Sequence, residues 1–288
     1  MATSESRVNY GSLNNPDDLQ AGVKIIASGG FVAAQVRGVY GFWCDGSNPH
    51  ALELILRAKN EHGKSRPFST MMFSPYILPY VDRSVMHPDL QYLVDDPQLT
   101  DKIIGCLLHL RLPLKPGATE MFPDALRSEN NGHFIVHNLS PAGHPISALI
   151  HGLNAAGVDH VALTTLNPGG RPESTTLKEV ADFCANLSGQ PWAVPLVLRD
   201  PQFDHATKFK GSLTIVDTQK AAIYREGNIP PELASALLGT ALKTDGMLEK
   251  KFPTSPGLSR ILAASLENGC SPVLLAGLIR SFTHPSKS

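Results

Sequence analysis

The sequence predicts an α/β fold. Two observations carry the prediction: segments with apolar residues at helical spacing open on recognisable cap signals, and they alternate with short β-rich apolar runs. A third is size. The chain has 288 residues, 42% of them hydrophobic, enough to bury a sizeable core. Only 18% are charged, below the roughly 25% usual in soluble domains, and Gly and Pro together reach about 16%, so the protein is globular and loop-rich, neither a coiled coil nor a disordered chain.

The elements follow in order. Residues 1–17 read as a polar N-terminal tail. Asn15-Pro16-Asp17-Asp18 is a helix start, because Asn accepts a hydrogen bond from a free backbone N–H and Pro suits the first helical position. Leu19, Val23 and Ile26 form its apolar face, Ser28-Gly29-Gly30 stops it, and Phe31 to Ala34 is a buried strand. Asn48-Pro49 repeats the cap before a helix through Ala58, and residues 68–72 read as a strand. The stretch 75–132 mixes short helical patterns with turns. A helix over Pro145–Ala156 precedes a β-rich run over His160–Thr165. Thr176-Leu177-Lys178-Glu179 matches a capping box and opens a helix to about Asn186. Strands are expected at 193–198, 213–216 and 221–224, the last two pairing across a turn, then helices at 231–242, 257–267 and 271–282.

Composition also excludes functions. A formal net charge of −1 gives no bulk attraction to RNA or acidic lipid. No run approaches the ~18 apolar residues of a membrane span, and Met1 to Ser6 has neither a basic patch nor an apolar core, so a cytoplasmic protein is expected. Cys44, Cys106, Cys184 and Cys270 form no CxxC pair and read as reduced thiols. Cys44, after Tyr40-Gly41, has no identifiable partner that would make it a nucleophile. His133, His137, His144 and His151 are interrupted by Gly and Pro, no zinc spacing occurs, and no metal site is expected. No G-x-S-x-G elbow or Walker loop is present.

Five stretches in order carry a resemblance. They are Gly29-Gly30-Phe31-Val32-Ala33 with Val39-Tyr40-Gly41-Phe42-Trp43; Lys64-Ser65-Arg66-Pro67; Thr165-Leu166-Asn167-Pro168-Gly169-Gly170; Leu213-Thr214-Ile215-Val216-Asp217; and Tyr224-Arg225-Glu226-Gly227-Asn228-Ile229. Over residues 18–240 the chain resembles the YrdC-like family, best known through threonylcarbamoyl-adenylate synthases. The resemblance implies a twisted mixed sheet flanked by helices with a concave ligand face, followed by a helical extension over 241–288. Within that extension Ile261, Leu262, Leu266, Leu274, Leu275, Leu278 and Ile279 would pack on the core or form a homodimer contact.

The resemblance also implies chemistry: ATP with Mg2+, bicarbonate and an amino acid yielding a carbamoyl adenylate and pyrophosphate. Lys64 and Arg66 would then be catalytic and, with Thr165, Asn167, Thr214 and Arg225, would hold the nucleotide. Lys59, at the expected helix end, competes with Lys64 for the family lysine. Arg37, Tyr40 and His137 are the substrate-side candidates, with Tyr40 and Trp43 equally readable as core aromatics. Cys184-Ala185-Asn186-Leu187-Ser188-Gly189 is a nearer literal match to the family's Ser-Ala-Asn loop, but it reads as a helix C-terminus.

Departures bear on substrate. Where the family has Pro-Thr-acid-Thr, this chain has Gln35-Val36-Arg37-Gly38, losing both hydroxyls that the resemblance places at the amino acid. Arg37 there would attract a carboxylate or phosphate. The expectation is a diverged nucleotide-using enzyme that forms or transfers a carbamoyl group on a small molecule other than threonine, carboxylate-bearing substrates included. The rivals are a non-catalytic nucleotide- or RNA-binding protein, RNA being disfavoured by charge, and a scaffold recruited to another small-molecule reaction.

Overall fold

The computed structural model describes residues 8–36, 39–63, 68–105, 107–127, 134–139, 145–200, 211–246 and 275–276. In chain order these contain β1 (Asn9–Ser12), α1 (Pro16–Ala27), β2 (Phe31–Val36), β3 (Val39–Asp45), α2 (Pro49–Ala58), β4 (Ser69–Met72), α3 (Ser74–Ile77), α4 (Tyr92–Asp95) and α5 (Pro97–Ile104). They continue with β5 (Leu108–Pro113), β6 (Phe134–Leu139), α6 (Pro145–Ala155), β7 (Val161–Thr165), α7 (Leu177–Asn186), β8 (Leu196–Arg199), β9 (Thr214–Asp217), β10 (Ala222–Arg225) and α8 (Pro231–Leu238).

The cap signals act as read. Asn15 Oδ1 accepts from Asp17 N at 2.9 Å and Asn48 Oδ1 from His50 N at 3.0 Å. The Thr176–Glu179 capping box is closed in both directions. The Cys184–Gly189 stretch is the C-terminal end of α7, with Gly189 left-handed.

The described strands form one mixed sheet in the order β1-β8-β2-β3-β7-β4-β6-β5-β9-β10. β2 and β3 are an antiparallel hairpin, and β7 lies antiparallel on β3. Alternation along β2 sends Val32, Ala34 and Val36 to one face with Trp43, α1 and α6. Phe31 and Ala33 point to the other, with Tyr40, Phe42, α2, α5, α7 and α8. Each face therefore has its own apolar layer, the usual arrangement for a sheet covered on both sides.

Three expectations change. Residues 9–12 are not part of a loose tail. They form edge strand β1, parallel to β8, and Leu13 behind it is buried. Backbone pairing, which no hydrophobic pattern announces, orders this polar segment. β5 hides inside the unreadable stretch because His109, Arg111 and Pro113 break its apolar run, yet all six residues are buried. Its Arg111 is neutralised by Asp217 of β9, Nη1 to Oδ2 at 2.6 Å. Finally, α8 stops at Leu238, where Gly239 is left-handed, short of the expected residue 242. The helices expected at 257–267 and 271–282 lie outside the described residues, apart from Leu275 and Ala276, which are helical and buried in the cluster that holds α8.

Candidate functional site

The end of α2 and the end of β7 meet through one lysine. Lys59 caps α2, is completely buried, and donates from Nζ to Thr165 O at 2.7 Å, Asn167 O at 2.9 Å and Asn167 Oδ1 at 3.0 Å. Asn167 closes the loop by donating from Nδ2 to Pro168 O at 3.0 Å and Arg171 O at 2.7 Å. Gly169 N returns a bond to Lys59 O at 2.7 Å. The chain reverses after α2, so the buried Glu61 packs on Gly169, where a Cβ would come within 2.6 Å of Glu61 Cγ. A side chain at 169 would force Glu61 to move.

The same loop grips the β2–β3 hairpin. Leu166 N donates to Tyr40 O at 2.8 Å, Tyr40 N to Ser174 O at 3.0 Å, and Ser174 N to Leu166 O at 3.0 Å. Farther along, Glu173 accepts a hydrogen bond from the Ser212 hydroxyl, both residues being buried just ahead of β9. The Thr214 hydroxyl donates to Ile229 O, and Arg225 Nη2 donates to Leu213 O at 3.1 Å. Gly227 lies flat on this strand start, with 2.3 Å between a hypothetical Cβ and Thr214 N. The loop over 165–176 is thus a hub joining α2, the hairpin and the β9–β10 edge.

Of the predicted residues, Thr165 and Asn167 fall on this hub, while Thr214 and Arg225 sit at the strand edge that Ser212 ties to Glu173. Lys59, the competing lysine, binds the loop. Lys64 and Arg66 lie outside the described residues, but their segment starts after Gly63, two residues from Glu61. It resumes at Phe68, next to Ser69, which pairs with Leu163 of β7. Arg37 also lies outside the described residues, between Val36 and Val39, which pair with each other at the hairpin end. His137 is placed by its backbone in β6, opposite Thr70 and Leu110. Tyr40 is fully buried in the apolar layer with Phe42, and Trp43 is equally buried on the opposite face. Val36 is a core residue beside Trp43 and α1. Sequence reading missed Glu61, Glu173 and Ser212. The available signal was the lone acid of the loop, Glu173, two residues after Arg171.

Cys44 is fully buried in the apolar layer that holds Phe42. Burial, with Asp45 adding a smaller repulsion, pushes its thiol far above the usual range, and burial lifts Cys184 to about 11. Both thiols should resist iodoacetamide at pH 8 in the native protein and react within minutes in denaturant. Rapid native labelling of Cys44, read by mass spectrometry, would contradict its placement.

Among the described residues no group of three His, Cys, Asp or Glu is arranged to hold a metal, and no helix is long and apolar enough to cross a membrane. No known family profile matches the sequence, and no curated protein matches it. Solved structures do. E. coli YciO aligns with TM-score 0.55 and 17% identity over 77% of this chain and 95% of YciO. P. abyssi Sua5 complexed with L-threonine aligns with TM-score 0.58 and 14% identity over 98% of this chain and 89% of Sua5. The fold is YrdC-like. A full-length HypF in its phosphate- and nucleotide-bound form shares it, with TM-score 0.53 and 15% identity over 74% of this chain but only 30% of HypF. At these identities the likeness is one of fold.

Proposed function

We propose that this chain is a diverged YrdC-like enzyme that uses Mg2+-ATP to form or transfer a carbamoyl group on a small amine other than threonine. The observation that carries the reading is the hub loop. The segments holding Lys64–Arg66 and Arg37–Gly38 are each flanked by residues that contact this loop or pair beside it, and Thr214 and Arg225 connect to it through Ser212. The nucleotide-bound HypF and threonine-bound Sua5 structures support it as relatives in fold.

Bound Mg2+-ATP would supply an α-phosphorus from which a carbamate oxygen displaces pyrophosphate. The magnesium would arrive with the triphosphate and supply charge neutralisation there. Lys64 and Arg66 would neutralise the triphosphate, with Arg225 as a further cation. Lys59 would act differently, by holding Thr165 and Asn167 in place before the nucleotide arrives, so that no reorganisation falls within the reaction. Arg37, in place of a small or acidic residue, would select an anionic group on the amine substrate.

The test is pyrophosphate release by the full chain with Mg2+-ATP, bicarbonate and a panel of amines. Release with an amino acid whose side chain carries a second carboxylate should exceed that with threonine by roughly 100-fold, as expected when hydroxyl partners are lost. Threonine as the best substrate would overturn the substrate assignment. No release with any amine would overturn the enzyme reading.

A further inference from the structure

We infer that Glu173 is a positioning residue that couples the two halves of the site. The inference rests on the nucleotide reading above for its consequence, though not for its geometry. Glu173 sits midway in the hub loop, buried, and its carboxylate accepts from the buried Ser212 hydroxyl. On its own side the loop is tied to β3 and β7 through the Tyr40, Leu166 and Ser174 backbone bonds. Across from it, Ser212 O accepts from Asn228 N at 2.9 Å, and the neighbouring Leu213 O holds Arg225 Nη2. Any shift of Ser212 therefore moves the carbonyl that aims Arg225.

A buried carboxylate is an expensive way to join a loop to a strand, since an apolar pair of similar volume serves stability as well or better. What the carboxylate adds is direction: an acceptor of fixed geometry that sets the separation between the Asn167 loop and the start of β9. Gly227, pressed on Thr214 without room for a Cβ, shows how little slack this edge has. The coupling joins residues 39 positions apart in sequence, which explains why neither motif hints at it.

The test compares E173A, S212A, E173Q and the double variant E173A/S212A in the full chain. Calorimetry with Mg2+-ATP should show Kd raised at least tenfold in both alanine variants. E173Q, whose amide oxygen still accepts from Ser212, should remain within about threefold of wild type. The double variant should be no weaker than the worse single one. Amide exchange read without ligand should accelerate at both 166–176 and 211–214 in E173A. Acceleration confined to 166–176, or an E173A Kd equal to wild type, overturns the coupling. Absence of Mg2+-ATP binding by wild type overturns the proposed function instead, and the exchange measurement then decides the coupling alone.

Discussion

Replacing Lys59 with methionine is expected to lower stability by about 3 kcal/mol and to weaken Mg2+-ATP binding by roughly 100-fold. Methionine refills the aliphatic stem, so packing is nearly conserved and the loss isolates the ammonium. Three acceptors, Thr165 O, Asn167 O and Asn167 Oδ1, then stay behind without the donor that now serves them. Each orphaned buried acceptor costs about 1–3 kcal/mol, partly offset because a buried ammonium no longer has to be desolvated. For a chain of this size a loss near 3 kcal/mol lowers Tm by roughly 6–12 °C. Thermal unfolding and calorimetry check the two effects separately. An unchanged Tm would mean that Lys59 does not hold the loop.

The largest loss of stability is expected from Arg111→Leu. Arg111 and Asp217 form a buried ion pair at 2.6 Å, with the guanidinium also 5.1 Å from the centre of the Tyr224 ring. Removing one partner strands a charge in the interior and should cost about 3–5 kcal/mol in urea unfolding. Asp217 would retain only its turn role, accepting from Gln219 N and Lys220 N at 3.0 Å. The double variant Arg111→Leu/Asp217→Leu removes both charges and should recover most of the loss, falling short by the two turn bonds. A single variant within 1 kcal/mol of wild type would show that the pair carries little.

The caps of α1, α2 and α7 were legible because each is a local event: a side chain and a backbone amide two or three residues apart. Short β-rich apolar runs likewise announced β9 and β10, which pair antiparallel as the turn between them implies. β1 and β5 were not legible, since one is ordered by backbone bonds to β8 and the other hides an arginine whose neutralising acid is 106 residues away. The candidate site divides in the same manner. Short motifs marked Thr165, Asn167, Thr214 and Arg225, whereas the contacts that organise them, Lys59 to Asn167 and Glu173 to Ser212, span 108 and 39 positions. No sequence period reports such pairs. Lys64, favoured by its literal Lys-x-Arg-Pro spelling, lies outside the described residues, and among those described the buried ammonium at the hub is that of Lys59.

The most direct measurement of the central claim is a titration of the full chain with Mg2+-ATP by isothermal calorimetry, with Arg225→Ala and Lys59→Met in parallel. Saturable binding at one site per chain, weakened in both variants, is the predicted result. An absence of binding heat up to millimolar nucleotide, in a protein whose melting shows it folded, would contradict a nucleotide site at the hub loop.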